Sequence, residues 1–328
     1  MNLRSSLRLL PLLLGVLLVP AFVARIGVRA ITDELRQLGP EALLVLLPYA
    51  AGTALSGLPW AWFFEQSHRP GAGAAIASRF AASGANALLP FFGLAGEPCR
   101  LLWLPSTARA DGLAAVVVDR LLYNSVSGLW LLLGAAAALT TTLSPVVSGL
   151  GAAVGVAIFA LSLLALRAIA RWKMVRGLQR ILRRLLGSSY RDPEVAARVD
   201  TAIARLLEKE SRPALLKGLL MHLAARVVSS AEVLVGLWSL GAPTTLAEGL
   251  VLSSVPIATS VIASSIPSQI GVQEGAQAFA CAALGHDPAL GLVLVLLARL
   301  RQLVFVPVTL LLLAAARPPS IAAGSAEP

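Results

Sequence analysis

A chain of 328 residues is long enough for one or two soluble domains, but 57% of this one is hydrophobic, only 13% is charged and its mean hydropathy is +0.79. That composition excludes an ordinary soluble protein. Long apolar runs recur along the chain and alternating strands of about ten residues are absent, which also excludes a transmembrane β-barrel.

The first apolar run covers residues 7–24, with Arg4 and Arg8 at its start. We read it as an uncleaved first span with a cytoplasmic N-terminus. Ala21 and Ala24 are three apart rather than two, and Arg25 and Arg29 follow at once, so the run fits a cleaved signal poorly. A second span is expected over 42–64, interrupted by Gly52, Gly57 and Pro59, with Trp60 and Trp62 suited to an interface. Residues 72–90 are rich in Ala and Gly and carry Arg79 and Asn86. They predict a short helix packed inside the bundle, or a re-entrant segment, because small residues let helices approach closely. A loop is expected over 91–112, then spans over 113–139 and 145–167.

The net charge of +10 is concentrated in one place: from Arg167 to Lys217 there are 13 Lys and Arg against 5 Asp and Glu. The positive-inside rule makes this stretch cytoplasmic. Its position between spans argues against a nucleic-acid partner. Within the basic connector, 171–212, apolar residues recur at helical spacing from Trp172 to Leu185, the pattern of a helix lying on an anionic membrane face or of a solvated connector. A second helix over 194–210 places Val199, Ile203 and Leu206 on one side. Further spans follow at 214–240 and 246–266, a returning half-helix at 275–285 and a last span at 289–315. The expectation is therefore an all-α polytopic membrane protein of about seven or eight membrane elements. It forms one helical domain over 1–316 and a disordered tail over 317–328.

One phrase occurs twice. Asn86–Glu97 and Ala263–Glu274 each contain a proline ending an apolar stretch (Pro90, Pro267), then glycine, then a glutamate seven residues after the proline. Pro90 and Pro267 are expected to break helices, and Gly93, Gly96 and Gly271 to allow the turns that follow. A carboxylate beside broken helix is costly in lipid and marks a functional site facing protein or water. Around Glu97 and Glu274 the apolar sequence holds Arg79, Arg100, Asp119, Arg120, Glu232, Arg299 and Arg301. Arginine forks suit phosphate or carboxylate, and the glutamates suit balancing them, meeting a cationic headgroup or carrying a proton. The plainer alternative makes Asp119 an interfacial cap and Arg120, Arg299 and Arg301 snorkelling side chains. Cys99 and Cys281 read as small core residues, and His68, His222 and His286 have no ligand spacing. There is no nucleotide-binding or hydrolase motif, so no cofactor is expected and no direct use of ATP.

Arg79–x6–Asn86–x3–Pro90, Gly96–Glu97–x2–Arg100, Asp119–Arg120–Leu121 and Ile266–Pro267–x2–Ile270–Gly271–x2–Glu274 resemble, in order and spacing, the lysylphosphatidylglycerol synthase transmembrane-region family, also called the flippase-like domain family. The resemblance spans about residues 10–315. It implies a helical domain that binds or translocates lipid headgroups across the bacterial inner membrane. The positions it carries over as substrate-binding are Arg79, Asn86, Glu97, Arg100, Asp119, Arg120, Glu274 and Arg299. Two departures stand out. The synthases carry a soluble aminoacyl-transfer domain after the membrane part, with no counterpart before Pro328, so synthase activity is not expected. Val272 and Gln273 also stand where a further glycine is common.

The reading is a flippase-like lipid transporter, not an enzyme, whose partners are anionic or zwitterionic membrane lipids. Its rival is an accessory subunit that recruits a lipid- or hopanoid-pathway enzyme through the basic connector. An intramembrane acid–base enzyme is a third reading that lacks a nucleophile or metal motif.

Overall fold

The computed structural model describes residues 40–88, 96–172, 193–242, 244–263, 269 and 271–316. The first apolar run, the Trp172–Leu185 pattern beyond Trp172, Pro90, Gly93, Pro267 and the tail from Arg317 lie outside the described residues. The described chain is helical. After a 3-10 turn at Pro40–Val45 come α1 (Leu46–Trp62), α2 (Ala72–Leu88), α3 (Arg109–Ala138), α4 (Pro145–Trp172), α5 (Pro193–Leu206), α6 (Arg212–Ser239), α7 (Leu246–Ile262), α8 (Val272–Ala283) and α9 (Pro288–Ala315). α1 together with the end of the 3-10 turn before it (Leu43–Trp62), α3, α4, α6 and α9 are long and apolar enough to cross a membrane. α2 has 17 residues and α8 has 12. At about 1.5 Å per residue both fall short of a hydrocarbon core of roughly 30 Å.

The helix ends follow from local chemistry. Thr245 and Glu248 form a reciprocal capping box at α7, with Glu248 N–H donating to Thr245 Oγ1 at 3.2 Å and Thr245 N–H to Glu248 Oε2 at 2.8 Å. Asp287 caps α9 by accepting from Ala289 N–H at 2.9 Å, just ahead of Pro288. The expected interruption of the second span does not occur: α1 runs unbroken through Gly52 and Gly57 and carries Pro59 in its last turn.

Gly57 instead sets how closely two helices approach. A Cβ there would stand 2.9 Å from the Ala75 carbonyl oxygen and 2.9 Å from Arg79 Cβ. α2 rides against α1 at this point, its small residues Ala75, Ser78 and Ala82 fully buried. That contact delivers the Arg79 side chain to the bundle interior. Gly57→Val is expected to cost about 1–3 kcal/mol by overpacking, read as a lower thermal unfolding midpoint in detergent.

The 91–112 stretch is more ordered than a loop where it is described. Glu97–Trp103 and Ser106–Ala108 are 3-10 turns, and α3 already begins at Arg109. α5 presents Val199, Ala202, Ile203 and Leu206 to the core that surrounds Trp60 and Leu104. Its Arg205 pairs with Glu65 on the α1–α2 connection and, at 3.5 Å, with Asp111 of α3. This part of the basic connector is therefore packed onto the membrane domain. A second core joins α3, α6, α7, α8 and α9 around Leu237, Leu252 and Cys281.

Candidate functional site

Five charged residues from three elements meet between α2, the Glu97 turn and α3. Glu97 is buried and shared: Oε1 accepts from Arg79 Nη1 at 3.3 Å and from Arg120 Nη1 at 3.5 Å, and Oε2 from Arg100 Nη1 at 3.5 Å. Arg100 also donates to Asp119 Oδ2 at 2.7 Å. Asp119 Oδ1 lies 2.9 Å from His222 Nε2 on α6. An ionised carboxylate only accepts, so the Nε2 proton is the donor. Arg100 and His222 are fully enclosed, and Arg100 lies over the Trp60 ring at 4.8 Å. Removing charges this thoroughly from water is tolerable only because each carboxylate meets more than one donor.

Asp119 is thus no interfacial cap. It is 1% exposed and ties α3 to α6 and to the Glu97 turn. Asn86 holds the turn in place: its Oδ1 accepts from Gly96 N–H at 2.7 Å. Gly96 serves a purpose other than the expected one. Its φ of −80° is open to any residue, but a Cβ would run into the Ala82 carbonyl. Glycine is required there by close packing on α2, not by the turn. Gly271 does need glycine's freedom, with φ at +84°.

The second glutamate is placed differently. Glu274 stands in the first turn of α8, where its Oε2 accepts from Gly271 N–H at 2.9 Å and its Oε1 pairs with Arg299 of α9. Arg301, one turn-fraction on, pairs with Glu232 of α6 and lies over the Tyr49 ring at 4.1 Å. Arg299 and Arg301 are therefore paired inside the bundle rather than snorkelling.

Between these two ionic groups lies a cavity of about 740 Å³. Among the described residues its walls carry Arg79, Arg120, Arg226 and Arg301 against a single carboxylate, Glu232, with serines from α1, α2, α3, α4, α6 and α7. Arg79, Arg120 and Arg226 converge on one aromatic ring: their guanidinium carbons stand 5.0, 5.4 and 4.8 Å from the centroid of Tyr123. Arg226 Nη2 donates to Ser127 Oγ at 2.7 Å. The Nε groups of Arg120, Arg226 and Arg301 are buried and have no acceptor among the described residues. On one side the wall includes Leu161 of α4 and Val261 of α7, which are 64% and 47% exposed. The polar interior therefore reaches an apolar outer surface sideways.

Of the eight expected site residues, Arg79 and Arg120 line the cavity. Glu97 stands behind them as their counter-ion, Arg100 joins Glu97 to Asp119, Asn86 is a tether, and Glu274 and Arg299 form the separate pair. Sequence reasoning gave no role to Tyr123, His222 or Arg226. A signal was present: Asp119 and Tyr123, and His222 and Arg226, are each four apart and so share a face of an otherwise apolar helix. Among the described residues no group of three or more His, Cys, Asp or Glu is arranged to hold a metal ion.

Fold and site together define a multi-pass helical membrane protein with an arginine-lined polar cavity among its spans. The family model for the lysylphosphatidylglycerol synthase TM region matches residues 8–310, and the chain belongs to that family. No curated protein and no solved structure matches it.

Proposed function

We propose that this protein binds the phosphate-bearing headgroup of a membrane lipid in the arginine-lined cavity and moves it across a bacterial inner membrane. The observation that carries the reading is the cavity itself. Four arginines line a volume large enough for a headgroup, and the exposed apolar residues Leu161 and Val261 mark an opening where acyl chains can remain in lipid. A lipid phosphate entering the protein loses water, and guanidinium forks replace it. The short helix α8, with Gln269 and Gln273 on the cavity wall and the Glu274–Arg299 pair at its base, is the element suited to shift during transport. Broken or half-length helices beside a mid-membrane site are a recurring transporter device. In this reading the chain performs transfer and no covalent chemistry.

The test is reconstitution in liposomes carrying fluorescent lipids, followed by reduction of the outward-facing probe. Phosphate-bearing lipids are expected to become fully accessible over time and a phosphate-free glycolipid to stay half protected. Protection of every lipid at the level of protein-free vesicles would remove the transport reading.

A further inference from the structure

We infer that the cavity is built for a phosphate dianion, the headgroup of a phosphomonoester lipid, in preference to a phosphodiester or an amino-bearing headgroup. The inference deepens the transport reading and rests on it for the lipid nature of the ligand. It starts from the charges around Tyr123. Arg79, Arg120 and Arg226 are gathered there, Arg100 joins them through Glu97, and the carboxylates of this group among the described residues are Glu97 and Asp119. The other ions nearby cancel in pairs, Arg301 with Glu232 and Arg299 with Glu274. Among the described residues two positive charges are left over, without counting His222.

The surplus sits where a ligand can reach it. Arg100 is fully enclosed and engaged with Asp119, and Arg79 is committed to Glu97 and to Ser56. Among the described residues Arg120 has one ion pair, a 3.5 Å contact to Glu97, beside its place over the Tyr123 ring, and its side chain is 23% exposed. Arg226 has a hydroxyl, Ser127 Oγ, and no carboxylate partner among the described residues. Both line the cavity and both carry an unpaired Nε–H.

A phosphomonoester brings close to two negative charges near neutral pH and three terminal oxygens. It satisfies two guanidinium forks at once and leaves the cavity neutral. A phosphodiester brings one charge and two free oxygens, so one arginine remains uncompensated. A headgroup that adds an ammonium is worse placed still: among the described residues the only carboxylate on the cavity wall is Glu232, already taken by Arg301. Like charges held near one another in a low-dielectric interior repel strongly, so the unliganded site favours whichever anion removes the whole surplus.

The experiment is ligand-dependent thermal stabilisation of the purified full chain, which reports binding without transport. Phosphatidic acid, phosphatidylglycerol and phosphatidylethanolamine with the same acyl chains are titrated beside inorganic phosphate and glycerol phosphate. Phosphatidic acid is expected to bind at least tenfold tighter than either diester. Arg226→Gln, which keeps a donor for Ser127, is expected to weaken phosphatidic acid at least tenfold and phosphatidylglycerol little, collapsing the preference. Arg226→Lys keeps the charge and is expected to retain most of it, which separates lost charge from lost fold. Inorganic or glycerol phosphate binding as tightly as phosphatidic acid would support the dianion site and make its source a free phosphate. Equal affinity for mono- and diester, or equal losses for both in Arg226→Gln, would overturn the inference even if liposomes show lipid movement. Monoester selectivity without any lipid movement would uphold the site and remove the transport reading.

Discussion

Glu274→Gln is expected to slow lipid translocation at least tenfold while leaving the protein folded and inserted. The substitution is nearly isosteric, and the glutamine amide oxygen can still accept the Gly271 N–H that starts α8. What is lost is charge. Arg299, only 8% exposed in its side chain, keeps a buried guanidinium with its carboxylate gone. Truncating one partner of a buried pair costs about 3–5 kcal/mol; the carboxylate here is 28% exposed, which reduces that figure. A cost of about 1.4 kcal/mol falling on one state of the transport cycle already gives a factor of ten. Liposome flux and the melting midpoint, measured on the same preparation, separate the two effects. Wild-type flux in Glu274→Gln would deny the pair any role in transport.

Glu97→Ala is expected to be the more damaging change to the fold. Glu97 contacts Arg79, Arg100 and Arg120, and is 4% exposed. Its removal leaves three guanidiniums with Asp119 as the remaining acidic group and opens a gap beneath α2. We expect a loss of about 3–5 kcal/mol, seen as a fall of roughly 10 °C in the melting midpoint or as failure to accumulate in the membrane. Glu97→Gln should be milder, since it fills the gap and keeps one acceptor. A melting midpoint for Glu97→Ala within a degree of wild type would show that the network contributes little to stability.

The two glutamates come from the same repeated phrase, and the comparison shows what such a phrase does and does not reveal. Both stand at the start of a helical turn after glycine and both meet arginine. Yet Glu97 is the buried hub of one network, whereas Glu274 caps a half-helix and serves one partner. The difference lies in what the rest of the chain packs around each, which a local spacing does not encode.

Long elements were legible for a simple reason: apolar runs above about 20 residues admit little but a span. The face of α5 was legible too, because Val199, Ile203 and Leu206 repeat with the helical period and the core takes that face. Pro59 misled: it forfeits one backbone bond, to the Leu55 carbonyl, yet α1 runs on to Trp62. The 91–112 stretch misled in the opposite direction, since 3-10 turns and the early start of α3 at Arg109 carry no strong periodic signal. In the site, the residues near the first phrase were visible as costly charges in apolar sequence. Arg226 and Tyr123 were not, because they matter only once α6 is laid beside α3, about a hundred positions away in the chain. Charge surplus is a property of that juxtaposition and of no single segment.

The most direct test of the account is the rate at which a fluorescent phosphate-bearing lipid crosses the bilayer of liposomes containing wild type or Arg120→Gln. Arg120 lines the cavity and has only a long contact to Glu97, so its loss should spare the fold. The account predicts movement well above protein-free vesicles for wild type and a rate at least tenfold lower for the variant at an unchanged melting midpoint. Equal rates in the two proteins would contradict a headgroup path through this cavity.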